Sequence, residues 1–321
     1  MQRRDALKLT AMGAAALAVS HPLLSQKTSF PIIDAHIHLF DPTRPGGVPW
    51  PTKDDTALYK PALPDRYAAL SKPFGVVGAI AIEASPLDTD NEWLLHEVEK
   101  HPIMVGMIGD LIPSSSEFHR RLDTLHANRL FLGIRYGNLW NRDLMADLEK
   151  PGFVDGLKAL SEAGLVFECA NPDPRLIRAA LQVSERVPDL RIVMDHMPNA
   201  KIPDDEKVQK EYWANLKRLA ESPQVYVKLS EIPVVKDRQL VQDAGFYAKM
   251  LDPLWNTFGE DHVLFGSDWP NSDHVAPYAA TFDIVRTYMV GKSQSAQEKY
   301  YWRNSVKAYR WQQRKSNQTV A

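Results

Sequence analysis

Short apolar runs alternate along the chain with longer stretches whose apolar residues recur every three or four positions. The runs are Ile32–His38, Val76–Glu83, Ile103–Asp110, Leu130–Tyr136, Leu165–Cys169, Arg191–His196, Val225–Ser230 and Val263–Asp268. Near-continuous apolar runs of this length read as strands buried on both faces, as in parallel sheet. The intervening stretches Asp65–Leu70, Asn91–Lys100, Phe118–Ala127, Phe153–Ala163, Arg175–Val187, Glu211–Ala220, Gln242–Phe258 and Ala279 to Arg310 read as helices, with Gly164 as a C-cap. About eight strand–helix units in one chain predict an α/β fold, a (β/α)8 barrel. A doubly wound open sheet would call for a glycine-rich turn after an early strand. Gly106 and Gly109 lie inside a strand run instead.

A barrel of this kind carries its chemistry at the C-terminal ends of its strands. Here every run ends in polar groups: His36 and His38, Glu83, Asp110, Arg135-Tyr136, Glu168-Cys169-Ala170-Asn171, Asp195-His196, Lys228-Leu229-Ser230 and Asp268. Burying so many polar groups costs free energy unless they pair or bind something. His36 and His38 are two apart on a strand, so they share a face. Closure would bring the last strand beside the first, so that His36, His38, His196 and Asp268 converge. Three imidazoles and a carboxylate suit one divalent ion, zinc or manganese, with a position left for water. Such a water ionises near neutrality and attacks a carbonyl, with Asp268 as ligand, base or both, and His196 as ligand or polarising group.

Around this set, the planar fork of Arg135 suits a substrate carboxylate. Glu83 and Lys228 are candidates for substrate contact or for structural pairing, and Asn171 and Trp269 for lining the pocket. The Pro- and Gly-rich loop Asp41–Pro61 carries Trp50 and reads as a lid or wall. Cys169 reads as a small buried residue rather than a nucleophile.

Composition narrows the function classes. The 321 residues are 44% hydrophobic and 24% charged, with a formal net charge of −2, which gives no footprint for nucleic acid. A single cysteine excludes an internal disulfide and a cysteine zinc site. The body of the chain has no apolar run fit for stable membrane insertion. The N-terminus differs in kind. Arg3-Arg4-Asp5-Ala6-Leu7-Lys8 leads into an Ala-rich apolar stretch and then small residues, the anatomy of a twin-arginine (Tat) export signal. The expected organisation is a signal and linker over 1–28, a barrel over 29–312 and a polar tail over 313–321. The expected partners are the Tat machinery and a small-molecule lactone or carboxylic acid, and the expected location is periplasmic or secreted.

Ile33-Asp34-Ala35-His36-Ile37-His38, Gly133-Ile134-Arg135, Ile192-Val193-Met194-Asp195-His196-Met197-Pro198, Val225–Ser230 and Leu264-Phe265-Gly266-Ser267-Asp268-Trp269-Pro270 together resemble the amidohydrolase-2 branch of the amidohydrolase superfamily. Within it the nearest likeness is to the fuconolactonase and 2-pyrone-4,6-dicarboxylate lactonase group. The resemblance implies a (β/α)8 barrel, hydrolysis of a lactone ring, His36, His38, His196 and Asp268 as the active-site set, and Arg135 holding substrate carboxylate or hydroxyls. Two-metal members carry a further lysine or histidine. Strands four and five end here in Arg135 and Cys169-Ala170-Asn171, which implies one ion at most. Some similar lactonases use no metal. The same branch contains zinc-dependent non-oxidative decarboxylases of aromatic or unsaturated acids, the alternative reading. A non-catalytic periplasmic sugar-acid binder is a third, disfavoured because a binder needs no general base.

Overall fold

The apolar runs form the staves of a barrel. The structure is a computed structural model that describes residues 29–196, 202 and 204–319. The strands of its main sheet are β1 (Ile32–His38), β2 (Val76–Ile82), β3 (Met104–Gly109), β4 (Phe131–Gly137), β5 (Val166–Ala170), β6 (Arg191–Met194), β7 (Val225–Leu229) and β8 (Val263–Phe265). They pair in parallel and in sequence order from β1 to β8. Every residue of β1, β3, β4, β5, β6, β7 and β8 is buried, because the barrel interior covers one face and the helices the other. The proposed export signal lies outside the described residues.

Helix Pro174–Arg186 shows how the outer layer is set. Asp173 caps it by accepting from the Leu176 N–H at 2.7 Å, proline occupies its first turn, and Leu176, Ile177, Ala180 and Val183 form the buried stripe. Where a continuous helix was expected from Ala279 to Arg310, the chain instead makes Tyr278–Met289 and restarts at Gln294–Glu298. Ser293 starts the second helix by accepting from the Ala296 N–H. The last strand stops at Phe265, three residues short of the expected Asp268.

Closure is made beyond that strand. Asp268 N–H donates to the His36 carbonyl at 2.8 Å, and His38 N–H donates to the Trp269 carbonyl at 2.7 Å. Gly266 lets the two segments approach: a Cβ there would stand 2.7 Å from His36 Cβ. At the opposite end, the segment expected to be a polar tail is docked. The Arg314 guanidinium donates to the carbonyls of Val98, His101 and Met104, and buried Gln318 donates to those of Val77 and Pro102. Its polar side chains answer backbone acceptors around β2 and β3.

Candidate active site

His36 and His38 sit on successive inward positions of β1, and their Nε2 atoms are 3.2 Å apart. Asp268 Oδ1 completes a triangle, 3.4 Å from His36 Nε2 and 3.2 Å from His38 Nε2. His38 Nδ1 lies 3.1 Å from each of the carbonyls of Ile82 and Glu83. Those acceptors keep hydrogen on Nδ1 and leave the Nε2 lone pair toward the triangle. His36 Nδ1 faces Asp195 Oδ1 at 3.5 Å and Lys228 Nζ at 3.2 Å. Burial, then the Lys228 ammonium, holds the His36 pKa well below its ordinary value, so the ring is neutral, the form that ligates metals.

Burial alone would raise the pKa of Asp268, but the surrounding imidazoles of His196, His38 and His36 reverse this and hold the group ionised. Its Oδ2 accepts from Asn271 Nδ2 at 2.7 Å, while buried Oδ1 has no hydrogen-bond partner among the described residues. An unanswered carboxylate oxygen between two imidazole nitrogens is the mark of a cation site. Tetrahedral ligands at zinc bond lengths of about 2.0–2.1 Å stand about 3.3–3.4 Å apart, close to the edges of this triangle. The residues therefore fit a divalent ion. His196 stands beside them, its ring centroid 4.6 Å from that of His36 and its Nδ1 3.0 Å from Ser230 Oγ.

The backbone is strained where the site is built. His196, Asp268, Asn171 and Glu231 all have φ between 50° and 59°, in the left-handed region that favours glycine. Each follows a strand end, and the reversal turns its side chain back over the mouth.

Beneath the triangle lies a fully buried charged layer. Lys228 Nζ contacts Glu168 Oε1 at 2.8 Å, Asp195 Oδ1 at 3.1 Å and His36 Nδ1 at 3.2 Å. Burial raises Glu168 to about 7 against the pull of Lys228. For Asp195, Lys228, His36 and Arg135 outweigh burial and hold the carboxyl well below its usual range. Of the two roles open to Lys228, substrate contact or structural pairing, its full burial under His36 fits the second. It lies one pleat below Ser230 on the same face of the strand.

Above the triangle opens a cavity of about 200 Å³, lined among the described residues by His38, Trp50, Glu83, Arg135, Asn171 and His196, together with Leu139, Trp140, Glu231 and Asn271. Trp50 reaches it from the long loop, its ring centroid 5.7 Å from that of His38. Arg44 ties that loop down with a 2.6 Å ion pair to Asp90. Trp269, expected to line the pocket, does not. Its indole is fully buried against Tyr67, ring centroids 5.4 Å apart, and only its backbone serves the site. Arg135 lines the cavity but already contacts two carboxylates, Asp195 Oδ2 at 3.1 Å from Nε and Glu83 Oε1 at 3.5 Å from Nη1. Cys169 is buried, and burial pushes its thiol well up.

Trp140, Glu231 and Asn271 were not singled out from sequence. They stand on βα loops just past the polar strand ends. Glu231 adjoins Ser230, and that adjacency was the available signal.

The chain belongs to the amidohydrolase family, whose profile matches residues 33–311. An L-fucono-1,5-lactonase from Burkholderia ambifaria is 27% identical over 259 residues, covering 77% of this chain and 84% of that protein. An amidohydrolase from Burkholderia multivorans, solved with bound zinc, has a TM-score of 0.77 at 21% identity, covering 88% of this chain and all of that one. A 5-carboxyvanillate decarboxylase from Novosphingobium aromaticivorans, complexed with manganese, has a TM-score of 0.62 at 16% identity over 88% of this chain and 96% of that one. Likeness of fold thus spans more than one chemistry, and the site has to choose between them.

Proposed function

We propose that the protein hydrolyses a lactone of a small sugar acid, using one divalent ion held by His36, His38 and Asp268 with His196 alongside. The observation that carries this is the triangle of two Nε2 atoms and an orphaned carboxylate oxygen, one corner of which, His38, lines an open cavity together with His196. The lactonase relative supports the choice of substrate class. When bound, the ion supplies Lewis acidity, polarising the ring carbonyl and making water more acidic.

The chain's own groups do the rest. The Asp268 carboxylate accepts the proton of the attacking water as the new C–O bond forms. Collapse breaks the bond to the ring oxygen, which leaves as an alkoxide and takes that proton back from Asp268. The product acid loses its own proton to solvent. Asn271 fixes Asp268 through Oδ2. Ser230 orients His196, and Trp50 walls the mouth.

The test is a panel of sugar lactones followed with a pH indicator, beside aromatic acids monitored for carbon dioxide. Acid release from a lactone supports the proposal; carbon dioxide release without lactone turnover overturns it in favour of decarboxylation. We further propose that residues 1–28 direct Tat export to the periplasm or beyond, which the twin arginine supports.

A further inference from the structure

The mouth contains a cation that is already engaged. Among the described residues lining the cavity, Arg135 is the one Arg or Lys side chain. Its Nε faces Asp195 Oδ2 at 3.1 Å and its Nη1 faces Glu83 Oε1 at 3.5 Å. A substrate carboxylate approaching Nη1 would have to displace Glu83, and would meet the Glu231 carboxylate on the same cavity wall.

Glu83 itself is held in place. Its Oε2 accepts from the Ser85 N–H at 3.0 Å and from Trp140 Nε1 at 3.1 Å. Its Oε1 has only the long Arg135 contact among described partners, so that oxygen retains acceptor capacity on the cavity side. Trp140 is in turn set by its loop, where Arg142 makes two bonds to Asp110 at 2.7 and 2.8 Å. An acceptor of fixed orientation beside Trp50 and Trp140 matches a ring that bears hydroxyls and no charge.

We propose that Glu83 is the specificity-determining residue of this site: Oε1 accepts a ring hydroxyl of an uncharged substrate, while the carboxylate, by occupying Arg135, turns away rings that carry a carboxylate. This rests on the lactone reading above and sharpens it, separating uncharged polyhydroxylated lactones from lactones of dicarboxylic acids.

The experiment reads binding rather than turnover, so that the two readings fail separately. Protein purified without chelator is titrated, by tryptophan fluorescence and calorimetry, with a polyhydroxylated six-membered lactam and with benzene-1,3-dicarboxylate. The wild type should prefer the lactam. Glu83→Gln should weaken the lactam by about 10-fold and tighten the dicarboxylate by about 10-fold, because an acceptor is altered and Arg135 is released. Trp140→Phe, which removes one donor to Glu83 without changing the charge, should weaken the lactam and leave the dicarboxylate unchanged. It serves as the deciding variant if Glu83→Gln does not fold. A wild type that prefers the dicarboxylate, or a preference ratio unmoved in the folded variants, overturns the proposal. If the ratio moves as expected while no lactone is hydrolysed, the role of Glu83 stands and the lactonase reading falls.

Discussion

The backbone N–H of Asp268 donates to the carbonyl oxygen of His36 at 2.8 Å, and the side chains of the same two residues face each other at 3.4 Å. The seam that closes the barrel and the edge of the ligand triangle are therefore one contact. The neighbouring bond from His38 N–H to the Trp269 carbonyl extends the seam by one step. An ion bound to the triangle would consequently be coupled to barrel closure and should stabilise the fold by mass action.

Asp268→Asn separates the two roles. The backbone bond survives, so the variant should fold and hold its secondary structure. The lost charge should weaken the ion and remove the proton acceptor, lowering kcat on a lactone by about 10²- to 10⁴-fold. Steady-state kinetics with metal analysis on the same sample checks this; full activity with normal metal content would exclude Asp268 as the base.

Gly266→Ala addresses the seam directly. The added methyl would stand 2.7 Å from His36 Cβ, so β1 or the Gly266 segment has to move. Overpacking of this kind costs about 1–3 kcal/mol, and displacement of His36 should also lower the content of any bound divalent ion. Urea unfolding and metal content should change together. Unchanged metal content in a destabilised variant would uncouple seam from site.

Asp34 sets a pH dependence. Burial raises its carboxyl from 3.8 to about 6, although Ser267 N–H and the Tyr67 hydroxyl donate to it. The folded chain keeps this proton to higher pH than the unfolded chain. The group's stabilising contribution is therefore complete below the unfolded pKa of about 4 and is lost as pH rises through the folded value, with a slope approaching about 1.4 kcal/mol per pH unit. Against Asp34→Asn, the wild type should lose stability between pH 4 and about 6, where the folded carboxyl titrates, and run parallel above it. Urea melts across that range measure the difference; a difference independent of pH would refute the assignment.

Replacing both Arg3 and Arg4 by lysine should abolish Tat export, since that pathway reads the arginine pair. Fractionation of a bacterial host should then find the uncleaved precursor inside the cytoplasm. Export undiminished by the double substitution would remove the proposed route.

The strands were legible because each is covered on both faces, and that burial writes a continuous apolar run. Their ends were legible too, since a polar group terminating every run has no folding reason of its own. Lys228 and Trp269 show where such reading stops. Both adjoin the site in sequence, yet Lys228 points into the layer below and the Trp269 ring packs outward on Tyr67. A strand's pleat gives the face but not the depth. The docking of Gln318 was also hidden, because it answers carbonyls more than 200 residues away in the chain.

The sequence by itself determined the fold class and the family, because period, strand-end chemistry and local motifs are short-range properties. Only the tertiary structure decided that His36, His38 and Asp268 meet at 3.2–3.4 Å, that Arg135 is already paired, and that Trp140, Glu231 and Asn271 share the cavity. These depend on closing a barrel between segments more than 200 residues apart. The distances come from seam register and from left-handed turns at strand ends, and neither leaves a local pattern in the chain.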